Sequence, residues 1–296
     1  MMMRNDFIAL ILTHGRAKKV HTYRTLRKHG YTGKIAIVID NEDDDANEYY
    51  KLFDKDVYMF NKSDISKTFD QGDNFNDRKA IVYARNASFE IAKELGYRYF
   101  IQLDDDYVTW VWKIDNNNKY VVDIPIKNLD KIFTSLVDFL DKTPFITVAL
   151  GQTGEMQGGE QMLFRRNKRQ FYKFKAMNTF VCDVEKPFKF HGRLNEDVNL
   201  YTNQQRMGNL VITFYNAVIR QKATQTNLGG MSEVYKDQGT YGKSFYSIMY
   251  APSCVKIFLF KGDNYRTKKR LGRLHHKVRY NNAVPKIIEQ KYQKAN

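Results

Sequence analysis

Cysteine is nearly absent from this 296-residue chain: Cys182 and Cys254 stand far apart, with no third to join them. That excludes a disulfide framework and any zinc-ligand spacing, and a reducing cytoplasm is the simplest setting. Long apolar runs are missing too, since none approaches the ~20 residues that span a bilayer. The stretch Phe7–Leu12 is too short for a signal-peptide core and is followed at once by Thr13-His14-Gly15-Arg16. No membrane partner is expected. Nor is there a Pro/Gly/Ser-rich linker or an internal repeat, so residues 1–296 read as one domain. Apolar residues at 43% and charged residues at 27% mark a folded chain rather than a disordered one.

Acidic residues are scarce in one half only. Residues 1–150 hold 22 Lys and Arg against 23 Asp and Glu, whereas residues 151–296 hold 26 against 10. The whole net charge of +15 therefore lies in the second half. Solubility alone does not require such segregation, whereas a polyanionic partner, nucleic acid or an acidic surface, would explain it. RRNKRQFYKFK (165–175) and RTKKRLGRLHHKVRY (266–280) supply 13 of those 26 cations and interleave them with aromatics. Cations neutralise phosphates and aromatic rings stack on exposed bases. Either stretch alone reads as a solvated surface; together they point to nucleic acid.

The first half alternates strand and helix patterns. FIALILT (7–13), GKIAIVID (33–40), DVYMF (56–60) and RYFIQL (98–103) read as strands. Helices are expected over 16–30 (ending at Gly30), over 43–53, and over 76–96, the last capped by Asn76 or Asp77 and stopped by Gly96. This order argues for a mainly parallel sheet with helices on both faces. A hairpin turning at 116–118, a helix over 126–142 and a strand over 145–150 follow. The remainder is less regular: a glycine-rich loop (151–159), short strands at TFVCDV and NLVITF, a helix after Gly230 and a basic tail.

FIQLDDDY (100–107) ends a buried strand in three aspartates. Carboxylates crowded at a core edge repel one another unless something positive joins them. Ligands bind beyond the carboxyl ends of parallel strands, and an Asp-x-Asp pair can share one Mg²⁺ or Mn²⁺ with phosphate oxygens. On these residues alone the triplet is either such a site or a solvated turn.

LTHGR, VIDNED, ARNASFEIA and QLDDDY, in that order, resemble the GT-A class of nucleotide-sugar glycosyltransferases over residues 7–110. NEDVN (195–199) looks like the acidic motif that supplies the general base in inverting members, and LHH (274–276) like the C-terminal histidine that binds metal in many. Across most of the chain, GYTGKIAIVIDNEDD, DNFNDRKAIVYARN and SFYSIMYAPSCVKI resemble the bacteriophage glycosyltransferases associated with TET-type base oxygenases.

The resemblance implies an α/β, GT-A-like fold: a Rossmann-like nucleotide-sugar and metal half (1–125) and a basic acceptor half (126–296). It implies a UDP-sugar donor, Mn²⁺ or Mg²⁺, and DNA containing a hydroxymethylated pyrimidine as acceptor, modified with inversion in the cytoplasm of an infected host cell. Donor binding falls on Thr13, His14, Arg16, Asp40, Arg85, Asn86, Asp104 and Asp105. Metal ligation falls on Asp104, Asp106 and His276, with His275 the alternate. Asp197 is the expected base, and Glu196 positions a hydroxyl. Asp104 and Asp106 form the Asp-x-Asp pair unless Asp105 pairs outside the triplet. The alternatives are a nucleotidyltransferase, a polysaccharide glycosyltransferase, or a non-enzymatic nucleic-acid-binding protein. THGRAKK lacks the glycine richness of a nucleotidyltransferase phosphate loop, and the charge segregation disfavours a polysaccharide acceptor.

Overall fold

The computed structural model describes residues 3–75, 77–117, 119–152, 175–222, 242–263 and 270–283. Most of the glycine-rich loop, residues 165–174, the start of the expected helix after Gly230, Asn76, and Lys268–Lys269 lie outside them.

Four strands expected from the first half form: β1 (Phe7–Leu12), β2 (Lys34–Asp40), β3 (Val57–Phe60) and β4 (Tyr99–Asp104). They pair in parallel, in the order β3-β2-β1-β4. Every residue of β1 is buried because both of its faces are covered, which is why it reads as an unbroken apolar run. Phe7, Ala9 and Ile11 join a core with α1 (His21–Lys28), α2 (Ala46–Phe53) and α5 (Leu129–Asp141). Ile8, Leu10 and Leu12 join one with α3 (Lys62–Ser66), α4 (Val82–Glu94) and α6 (Glu196–Arg206).

Beyond β4 the sheet becomes mixed. The strands β5 (Tyr107–Ile114), β6 (Tyr120–Pro125), β7 (Phe145–Gln152), β8 (Phe180–Asp183) and β9 (Leu210–Gln221) extend it in the order β8-β7-β9-β5-β6. Here β8 is antiparallel to both β4 and β7, β7 and β9 are parallel, and β5 is antiparallel to β9 and β6. The expected hairpin at 116–118 is β5–β6. Parallel pairing thus holds across β3-β2-β1-β4, and the α/β architecture with helices on both faces is observed. A helix α7 (Gly242–Tyr250) supports a separate two-stranded ribbon, β10 (Val255–Asp263) and β11 (Arg270–Val278). Among the described residues no helix is long and apolar enough to cross a membrane.

The helix expected from residue 76 begins only at Val82, and Asp77 does not cap it. The Asp77 side chain instead accepts from the Lys79 amide and pairs with Arg193, 3.2 Å away. Residues 79–81, ahead of the helix, line the wall of a cavity.

Two glycines end helices with the same left-handed φ of +79°, Gly30 after α1 and Gly96 after α4. A Cβ on Gly30 would lie 2.3 Å from the Lys127 carbonyl oxygen, whereas one on Gly96 would meet nothing within 4 Å. Gly96→Ala should cost only the left-handed penalty of ~1–2 kcal/mol. Gly30→Ala should cost a further ~1–3 kcal/mol for the backbone clash. Urea denaturation of both variants checks this; equal losses would contradict the packing of α1 against the start of α5.

Candidate active site

The carboxyl ends of β1, β2 and β4 open onto a cavity of about 490 Å³, closed on its other side by the start of α6 and by β11. Every residue expected in the site lies on its wall except Asn86. Asn86 follows Arg85 on α4, and the ~100° step per residue turns it away. Its Nδ2 donates to the Phe190 carbonyl and its Oδ1 accepts from the Phe190 amide. Asn86 is a strut for α4, not a donor contact.

Where β1 leaves the sheet, its side chains are fastened rather than free. Thr13 Oγ1 donates to Asp105 Oδ2 at 2.8 Å and accepts from Tyr49 OH at the same distance. The Tyr49 hydroxyl also receives the Arg16 amide, while Arg16 Nη1 lies 3.3 Å from Asp105 Oδ1. Asp105 therefore does pair outside the triplet, but with a cation and a hydroxyl. Asp104 and Asp106 are left as the Asp-x-Asp pair. Beside them, Asp40 takes His14 Nδ1 at 2.8 Å and Lys62 Nζ at 3.1 Å. Burial alone would raise the Asp40 carboxyl, but the His14 hydrogen bond and the Lys62 charge hold it below its ordinary value.

Beneath the triplet lies Arg85, 1% exposed. Its Nη2 donates to Asp104 Oδ1 at 3.2 Å and its Nε to Glu196 Oε1 at 3.1 Å. The guanidinium packs over Phe180 and Phe190, 5.1 and 5.7 Å from their ring centres. One arginine thus ties the end of β4 to the start of α6. It also lines the cavity wall.

Burial raises Asp104 to about 7, with Arg85 opposing and the neighbouring carboxylates adding. Burial and Asp105 raise Asp106 to about 6. Asp106 Oδ1 is buried with no hydrogen-bond partner. Two carboxyl groups held this far up, one with an orphaned oxygen, fit a divalent cation. Among the described residues no group of three or more His, Cys, Asp or Glu side chains forms a preassembled metal cage. An ion bound by one or two carboxylates and completed by substrate phosphates needs none. The three-ligand set that includes His276 is not brought together.

At the other wall, Asn195 adopts a left-handed φ of +54° before α6 and does not cap it. Its Nδ2 instead reaches the Lys243 carbonyl, Ser247 Oγ and Nδ1 of His276, which lies 3.2 Å away. Burial, together with His275, Lys243 and Lys175, lowers His276 to about 3, so the ring is neutral. Glu196 and Asp197 form the first turn of α6. Burial raises both carboxyls, opposed for each by Arg85 and for Asp197 also by Lys175 and Lys243.

Sequence reasoning missed Lys62, Tyr49, Lys175 and Lys243. Lys62 had a usable signal, a cation directly after the third strand at a sheet's carboxyl edge. Lys175 ends the cationic stretch 165–175 but had no role assigned in the cavity, and Tyr49 and Lys243 reach the site through tertiary packing and carry no local mark.

The family model of the TET-associated glycosyltransferases matches residues 7–230. No curated protein matches the chain. Among solved structures it is similar to glucosyl-3-phosphoglycerate synthase from Mycobacterium tuberculosis in complex with Mn²⁺, UDP and phosphoglyceric acid. The identity is 9%, over 93% of this chain and 87% of that one, with a TM-score of 0.45. A second structure of that synthase, with Mn²⁺, UDP-glucose and glycerol 3-phosphate, is also 9% identical, over 94% and 91%, at 0.45. Likenesses this distant say nothing of activity. The family match spans most of the chain and includes the cavity residues from Thr13 to Asp197: the chain belongs to the TET-associated glycosyltransferase family and is a glycosyltransferase.

Proposed function

We propose that the chain moves a sugar from a UDP-sugar to the hydroxymethyl oxygen of a modified pyrimidine in DNA, with inversion and with Mn²⁺ or Mg²⁺ bound, in the cytoplasm. One observation carries the reading: two carboxylate pairs, Asp104–Asp106 and Glu196–Asp197, face one cavity and are joined beneath it by Arg85. Residues 1–125 serve the donor and residues 126–296 the acceptor. The family name and the cationic second half support DNA as that acceptor.

Asp104 and Asp106 would hold the ion, which when bound supplies positive charge to the departing diphosphate. His14, Asp40 and Lys62 line the donor side, where their polar groups orient the nucleotide. Glu196, tied to Arg85, is fixed in place and positions the acceptor hydroxyl. Asp197 takes the proton. As the hydroxymethyl oxygen forms its bond to the anomeric carbon, the bond from that carbon to the diphosphate oxygen breaks and its electron pair leaves with the diphosphate. The proton passes to the Asp197 carboxylate. A base raised toward neutral pH suits this transfer, worth ~10²–10⁴-fold.

Asp197→Asn should therefore lower kcat by ~10²–10⁴-fold while donor affinity stays near wild type. Steady-state kinetics beside calorimetric UDP titration checks this. Retained turnover in Asp197→Asn with loss in Glu196→Gln would reverse the two roles. Because Asp197 must be ionised to act and burial raises it, kcat should climb with pH through a limb above the ordinary carboxylate range. A limb at or below that range would count against Asp197.

Asp106→Ala should weaken UDP binding in Mn²⁺ and leave it unchanged in EDTA, because the carboxylate acts through the ion. Equal UDP affinity of variant and wild type in Mn²⁺ would remove Asp106 from the metal site.

A further inference from the structure

The β10–β11 ribbon stands apart from the nine-stranded sheet. Among the described residues its strands pair only with each other, from Val255 opposite Val278 to Asp263 opposite Arg270. The root is anchored: Val255 is buried with Ala251, Cys254 and Ala283, and Val278 packs against them. Opposed residues project on the same face, and faces alternate along the strand. One face therefore carries Val255–Val278, then Ile257–His276, then Leu259–Leu274. It starts in the core, passes the cavity wall at His276, and emerges as two leucines 53% and 42% exposed. They lie two residues beyond His276, ~7 Å along the strand. The opposite face presents the cross-strand pair Lys256–Lys277, both exposed. In sequence the two strands hold five Lys and Arg against a single Asp.

An exposed leucine pair on one face of a ribbon whose other face carries a lysine pair, beside a catalytic cavity, matches a surface that is apolar between two rows of anions. A stacked base step between phosphate backbones is such a surface. The ribbon's nine residues per strand give a length of ~30 Å, close to the ~34 Å turn of B-DNA. A major groove ~12 Å wide admits a two-stranded ribbon. A stacked base cannot deliver its hydroxymethyl group to Asp197 inside the cavity, so the base must leave the stack. Apolar side chains such as leucine wedge open base steps in proteins that deform the duplex.

We infer that the β10–β11 ribbon is an arm that engages duplex DNA, setting the Leu259–Leu274 pair against the base step beside the extruded target and Lys256 and Lys277 toward the flanking phosphates. This rests on the DNA acceptor proposed above and adds that the acceptor is double-stranded.

The test compares the full-length wild type with Leu259→Ser/Leu274→Ser and with Lys256→Ala/Lys277→Ala; all four side chains are exposed, so the fold should persist. The acceptors are a short duplex carrying one 5-hydroxymethylcytosine beside 2-aminopurine, and the same strand without its complement. Wild type should raise the 2-aminopurine fluorescence of the duplex, and the leucine variant should lose that rise. Transfer to the duplex should fall about tenfold more than transfer to the single strand. The lysine variant should flatten the salt slope of duplex binding by roughly 2, at ~0.9 per contact. Equal losses on both acceptors, or full duplex activity in the leucine variant, overturn the arm while leaving the DNA acceptor standing. Transfer by wild type to neither acceptor removes the DNA acceptor, and the arm with it.

Discussion

A guanidinium buried between two carboxylates sets the terms for the site. Arg85 is almost wholly enclosed, and its two ion pairs run to opposite walls of the cavity, to Asp104 and to Glu196. Burying a charge costs several kcal/mol unless geometry and hydrogen bonds offset it. Here the offset is distributed: Phe180 and Phe190 lie against the cation, Gln102 Nε2 donates to the Arg85 carbonyl, and the Asn86–Phe190 strut fixes the helix. Moving α4 would unpair Asp104 and Glu196 together.

That arrangement explains why the cavity wall is at once acidic and held up in pKa. Burial drives the carboxyl groups toward protonation, and one arginine cannot neutralise four of them. The unmet charge suits a site that takes a cation on one side and a proton on the other. The lysines near Asp197, Lys175 and Lys243, both come from the cation-rich second half of the chain.

Much of this was legible in the sequence, for local reasons. FIALILT and GKIAIVID read as strands because both of their faces are buried, and Gly30 and Gly96 end helices where φ is positive. Asp104 and Asp106 could be placed because a strand end fixes which side chains reach the crevice. What failed was non-local. The antiparallel insertion of β8 between β4 and β7 depends on pairings that no single segment encodes. Asp77 looks like a helix cap until Arg193, far along the chain, claims it. Asn86 stands next to Arg85 in sequence and on another side of the helix in space. The expected reach of His276 to the aspartates ignored Asn195, whose side-chain amide contacts its ring.

A double-mutant cycle of Arg85→Met with Glu196→Gln, read as kcat/KM for sugar transfer, tests the central claim most directly. If Arg85 and Glu196 act as one unit, the double variant should be little worse than either single one, with a coupling energy of ~0.5–3 kcal/mol. Losses that simply add would contradict it: the arginine and the carboxylate would then contribute separately, and the two walls of the cavity would not depend on a shared charge.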